Sequence, residues 1–162
     1  MSKFESYVNL KSAKLLKKLG FNWLCGSLYG LDVRYKGQSI DEDEEYSLKA
    51  AGKGKEIKYV DGGLIYDFNN TNDDSFGGYS RPTLDIARKW LRDVKNIEIE
   101  IHCNLTKLAP KKYTAHIYDG VDVIYDVVTK PYKGYTKLQE FDTYEKALAA
   151  AIEKSLNILK KK

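Results

Sequence analysis

Apolar and polar positions alternate most regularly at Ile97-Glu98-Ile99-Glu100-Ile101-His102-Cys103. A period of two places Ile97, Ile99, Ile101 and Cys103 on one face of a strand and Glu98, Glu100 and His102 on the other. The first set is expected to face the core and the second to face outward. Upstream the period changes. Leu84, Ala87, Leu91 and Val94, widened by Ile86 and Trp90, recur at helical spacing. They predict a helix that begins near Pro82, whose fixed φ suits a first turn, and ends near Lys95-Asn96. Downstream, Tyr113–Tyr118 and Val121–Val128 read as two further strands joined at Asp119-Gly120. Pro131 to Gln139 reads as a connection. Asp142-Thr143-Tyr144-Glu145 then reads as a capping box, Asp142 the cap and Glu145 three residues on. It opens a last helix whose stripe is Tyr144, Leu148, Ala151, Ile152 and Leu159. The C-terminal half is thus expected to run α-β-β-β-α.

The N-terminal half starts with a helix from about Asn9 to Leu19. Asn9 is the expected cap, Ala13, Leu15, Leu16 and Leu19 the apolar side, and Gly20 the stop, with Phe21 folding back on the last turn. Lys11, Lys14, Lys17 and Lys18 lie mostly away from the apolar side. Leu28 to Tyr35 alternates as a strand. A polar stretch follows, with Asp41-Glu42-Asp43-Glu44-Glu45 inside it, and is expected to be a mobile acidic loop at about 37–55. Ile57–Val60 and Leu64–Phe68 suggest a hairpin around Asp61-Gly62-Gly63, and Asn69 to Ser80 another loop. These elements predict one α+β domain over residues 1–162, an antiparallel sheet packed against two or three amphipathic helices.

Composition narrows the function classes. The chain of 162 residues is long enough to bury a core without staples. No apolar run approaches the length of a membrane helix, and Met1-Ser2-Lys3-Phe4-Glu5 carries no export signal. A cytoplasmic location with no membrane partner is therefore expected, with Cys25 and Cys103 as reduced, buried thiols. The net charge of +4 is unevenly spread: residues 1–20 and 81–162 are basic, and residues 21–80 are acidic. Segregation of this kind permits contact with nucleic acid, and also self-complementarity. The 13 tyrosines suit strands and contact surfaces.

Candidate chemistry is sparse. At 100° per residue, Arg81, Arg88, Arg92 and Lys95 fall within a sector of about 60° opposite the apolar stripe. Lys89, Lys111, Lys112 and Lys133 could extend that patch toward a phosphate backbone. The other reading is a solvated helix face on which Asp85 pairs with Arg88 or Lys89. His102 and His116, the only histidines, share a sheet face with Glu98 and Glu100 if their strands pair. That is the candidate small-ligand or acid–base set. No metal or cofactor is expected, because the spacing matches no ligand pattern. Gly52-Lys53-Gly54 lacks the Ser or Thr of a phosphate loop, and Ser47 stands where its first Gly belongs. Asp67, Asn69, Thr71 and Asp73 mimic a calcium loop but have Asn72 at the turn position and Gly78 in place of the closing Glu. No nucleophile–base signature is present, which leans away from an enzyme.

Tyr7 to Phe21, Arg81-Pro82-Thr83-Leu84 with Lys89-Trp90-Leu91-Arg92, Ile97-Glu98-Ile99, and Phe141-Asp142-Thr143-Tyr144-Glu145-Lys146-Ala147-Leu148 together form a pattern. It resembles that of a group of uncharacterised small proteins encoded by phages and prophages of Bacteroidetes-type gut bacteria. The acidic stretch around Asp41–Glu45 departs from that group. The resemblance implies a phage-linked origin in a bacterial host cell, and neither a reaction nor functional residues. The α-β-β-β-α order also resembles double-stranded-RNA-binding domains. Their lysine cluster at the start of the last helix is replaced here by Asp142-Thr143-Tyr144-Glu145, which would repel phosphate. The same order is similar to HicB-like antitoxin domains by analogy alone. The expectation is a non-catalytic accessory protein whose partner is a protein or a nucleic acid. An open sheet edge that needs covering points to a homodimer.

Overall fold

The computed structural model describes residues 6–32, 55–56, 60–66, 69, 78–105, 110–120, 124–127 and 138–162. The acidic loop up to residue 54, the Pro131 connection up to residue 137 and Lys133 lie outside the described residues, and Lys55 belongs to a strand. The chain falls into two compact units, Tyr7–Thr83 and Leu84–Lys162 with Met1–Ser6. Each has its own antiparallel sheet, where the sequence suggests a single one.

In the first unit α1 spans Leu10–Lys18. Asn9 caps it as expected, its side-chain oxygen accepting from the Ser12 N–H at 2.8 Å. The end of α1 is also as expected. The Phe21 N–H donates to the Leu16 carbonyl at 2.9 Å and the Gly20 N–H to that of Lys17 at 3.1 Å. Gly20 sits at φ 84°, the left-handed conformation this closure requires. Phe21, fully buried, packs at the turn that it closes.

Four strands follow: β1 (Cys25–Asp32), β2 (Lys55–Glu56), β3 (Val60–Tyr66) and β4 (Gly78–Ser80). β1 is the hub. Its end pairs with β2, its first half with β3 and its middle with β4. β3 runs through Asp61-Gly62-Gly63, where a hairpin turn is expected. The turn signal appears instead as a register break: Cys25 faces Tyr66 while Ser27 faces Asp61, so β3 carries extra residues between those two positions. At the β1–β4 pairing Gly30 faces Gly78, and a Cβ on Gly78 would stand 2.1 Å from the Tyr29 carbonyl oxygen. Only glycine allows that approach.

The second unit runs α2 (Leu84–Lys95), β5 (Ile97–Asn104), β6 (Lys112–Asp119), β7 (Ile124–Asp126) and α3 (Tyr144–Lys161), the expected α-β-β-β-α order. β5 and β6 pair over their whole length, and β7 adds to the far side of β6. Both helices pack on one face of this sheet and on each other. Leu84, Ala87, Trp90 and Leu91 of α2 meet Ile97, Ile99, Ala115 and Ile117 in the core, with Ala147, Leu148, Ala151, Ile152 and Leu156 of α3.

Several sequence expectations shift by a turn or a residue. α2 starts at Leu84, two residues after Pro82, and Val94 is 50% exposed. Thr143, and not Asp142, caps α3, accepting from the Lys146 N–H at 3.2 Å. Asp142 is drawn away by Lys112 at 2.5 Å, and that ion pair holds its carboxyl below the usual range. Cys25 is buried and Cys103 exposed, both free. The core face of β5 therefore runs out along the strand. Ile97 and Ile99 are fully buried, Ile101 is half-buried and Cys103 is open to solvent.

Candidate functional site

The cations expected to form one ridge are divided. Arg81 precedes α2 and belongs to the other unit. Its guanidinium lies 4.0 Å from the Tyr7 ring centre and 5.6 Å from that of Tyr29, and donates to the Ser27 hydroxyl at 3.0 Å. Arg88, Lys89, Arg92 and Lys95 remain on α2. Arg88 donates to the Tyr144 hydroxyl at 3.1 Å and to Glu98 at 3.3 Å, tying α2 to α3 and β5. Asp85, expected to pair with Arg88 or Lys89, is not among these Arg88 partners. Arg92 pairs with its neighbour Asp93 at 2.8 Å, an ion pair that keeps its guanidinium firmly charged. The Lys95 ammonium sits 5.1 Å from the Trp90 ring centre. Lys89 is exposed. Much of the positive charge of α2 is thus matched by acidic or aromatic groups of its own unit.

The two histidines are brought together. In the β5–β6 register Glu100 faces His116 and His102 faces Thr114. In the β6–β7 register His116 faces Asp126. The period-two pleat places all of these side chains on the sheet face opposite α2 and α3. The His102 and His116 rings meet edge to face with centres 4.8 Å apart. His116 Nδ1 lies 2.8 Å from Asp126 Oδ1, and His102 Nε2 lies 3.3 Å from Glu100 Oε2. The Tyr118 hydroxyl donates to the same Glu100 oxygen at 2.9 Å. A continuous polar chain, Tyr118–Glu100–His102–His116–Asp126, therefore crosses all three strands.

Its electrostatics follow from these contacts. The Tyr118 hydroxyl, and then His102, hold the Glu100 carboxyl below the usual range. The reciprocal effect raises the Tyr118 phenol. Glu100 thus stays ionised at neutral pH, and half of its side chain is open to solvent, 49%, as is 54% of His102. Among the described residues no group of three or more His, Cys, Asp or Glu side chains is arranged to hold a metal ion. The set has the composition of an acid–base site whose Glu100 and His102 end is half exposed, while His116 is 23% exposed and Thr114 beside it is buried.

The sharing of one face by His102, His116, Glu98 and Glu100 was expected if the strands paired; the places of Tyr118 and Asp126 were not, because strand register joins residues far apart in the chain. No helix among the described residues is long and apolar enough to cross a membrane. Comparison of the chain with known protein families, with curated proteins and with solved structures finds no match.

Proposed function

We propose that the chain is a non-catalytic, phage-encoded accessory protein of the bacterial cytoplasm that binds another macromolecule, and that it does so through the polar face of the β5–β6–β7 sheet. The partner surface is a protein segment rich in Lys or Arg. One observation carries this reading. Glu100 and Asp126 stand on the face not covered by α2 and α3, with their carboxylates fixed in place by Tyr118, His102 and His116. Oriented carboxylates favour charged hydrogen-bond donors and repel phosphate. The rival nucleic-acid reading through α2 is weakened by the contacts of Arg88 with Glu98 and of Arg92 with Asp93. The phage origin rests on the resemblance of the helix and strand segments quoted above.

Fluorescence anisotropy separates the two. An oligo-lysine peptide is expected to bind the full chain, more weakly as salt rises. Glu100→Gln with Asp126→Asn should abolish most of that binding. Duplex and single-stranded oligonucleotides should not bind at low salt. Oligonucleotide binding that is lost in Arg88→Ala/Arg92→Ala, with no binding of the peptide, would replace this reading with the other.

A further inference from the structure

β5 is an edge strand. Among the described residues it pairs with β6 alone. The direction of its free backbone groups follows from its neighbour. Tyr113 exchanges both backbone hydrogen bonds with Phe141, at 2.9 and 2.8 Å, and the Ala115 carbonyl accepts from Val127 at 3.3 Å. The odd-numbered residues of β6 therefore turn their N–H and C=O groups away from β5. Their partners on β5, Ile99, Ile101 and Cys103, form the pairs not hydrogen-bonded to β6 and turn theirs outward. The same end of β5 leaves apolar surface open. Ile101 is half-buried, Cys103 exposed, and Leu105 just beyond is 71% exposed. The Ile99 N–H is taken by the Glu98 carboxylate at 3.2 Å, which leaves Ile101 and Cys103 with no backbone partner on that side among the described residues; such groups beside uncovered apolar side chains are a template for a further strand.

We propose that the strand is a second copy of β5, joined antiparallel about a two-fold axis at Ile101. The side-chain pattern selects that centre. With the axis at Ile101, each Glu100 lies opposite His102 of the second copy in a close, non-hydrogen-bonded pair, where an imidazole N–H can donate to the carboxylate. An axis at Glu100 sets the two Glu100 side chains against each other, and an axis at Ile99 sets Glu98 against Glu100. Like charges directly opposite are unfavourable. An axis at His102 places the histidines together and Glu100 opposite Asn104, so the complementarity is lost. About Ile101 the other face also closes. Ile101 meets its own copy, Ile99 meets Cys103, and Leu105 comes beside Ile97. The polar face thus chooses the register and the apolar face accommodates it, and the product is a continuous sheet that runs through both copies of β5. The register shares Glu100 and His102 with the functional proposal, but the backbone edge at Ile101 does not, so the Ile101 variants below can fail while peptide binding stands, and the reverse.

Light scattering on the full chain tests it. The wild type is expected at twice the 18.5 kDa chain mass at high concentration. Ile101→Pro removes an N–H that points outward and leaves the β6 ladder intact, so it should give a folded monomer by circular dichroism. His102→Glu should also give a monomer, and adding Glu100→Lys should restore the dimer with the charges exchanged. In a Cys103→Ser background, Ile101→Cys should form an intermolecular disulfide on oxidation, because paired Cα atoms at the axis stand about 5.5 Å apart. Val94→Cys, exposed on α2, should not. A monomeric wild type at every concentration overturns the proposal. So does a dimer that survives Ile101→Pro and fails to cross-link through Ile101→Cys.

Discussion

Trp90→Ala is expected to lower the unfolding free energy by about 3–5 kcal/mol, the range for emptying a large aromatic site in a packed core. Trp90 is fully buried on the inner side of α2, between Ala87 and Leu91, which are also fully buried. The cost has two parts, the lost transfer of the indole from water and the cavity left where helix and sheet cannot close up. Lys95 adds to the loss, because its ammonium lies over the indole ring. Against a typical total of about 5–15 kcal/mol, such a loss leaves the protein near its folding limit. Urea denaturation followed by circular dichroism measures it, with Trp90→Phe as the milder control. A loss below about 1 kcal/mol would mean that the side chain does not fill the site described here.

The second large effect lies across the β5–β6 ladder. Ile99 and Ile117 face each other directly and are both fully buried under the helices. Ile99→Ala and Ile117→Ala should each cost about 2–5 kcal/mol. The double variant should depart from additivity by about 0.5–3 kcal/mol, because the two truncations share one cavity. Cys103→Ala, on the same face of β5 only four residues on, should stay within about 0.5 kcal/mol of the wild type, since Cys103 is exposed. Chemical denaturation of the four variants and the wild type gives the comparison. Equal losses at Ile99 and Cys103 would contradict the burial gradient that leaves the end of β5 open.

That gradient marks the boundary of what local pattern could show. Gly20 and Phe21 closed α1 as expected because that closure depends on neighbours one turn away. Ile97 and Ile99 were legible as core because a strand's period is written in consecutive residues. Cys103 shares their period, and its exposure depends on where the covering helices end, which the strand's own sequence does not encode. Val94 failed for a related reason: it lies on the last turn of α2, at the rim of the contact. Asp142 and Thr143 are both good caps, and the long-range ion pair from Lys112 settled the choice. Arg81 fitted the helical wheel, but the helix began three residues later, and the cation went to Tyr7 and Tyr29 of the first unit. For the site, His102 and His116 were identifiable as the only histidines. Their joining to Asp126 and Tyr118 needed the register of three strands, which no single segment carries.

The claim on which the functional account turns is that a partner meets the outward face of the β5–β6–β7 sheet. An amide-resolved NMR titration of the full chain with the oligo-lysine peptide tests it most directly. The expected shifts cluster at residues 98–102, 114–118 and 125–126, with the His102 and His116 ring signals moving at the same peptide concentrations. Shifts confined to Leu84–Lys95, or none at all on the three strands while the peptide binds, would contradict it.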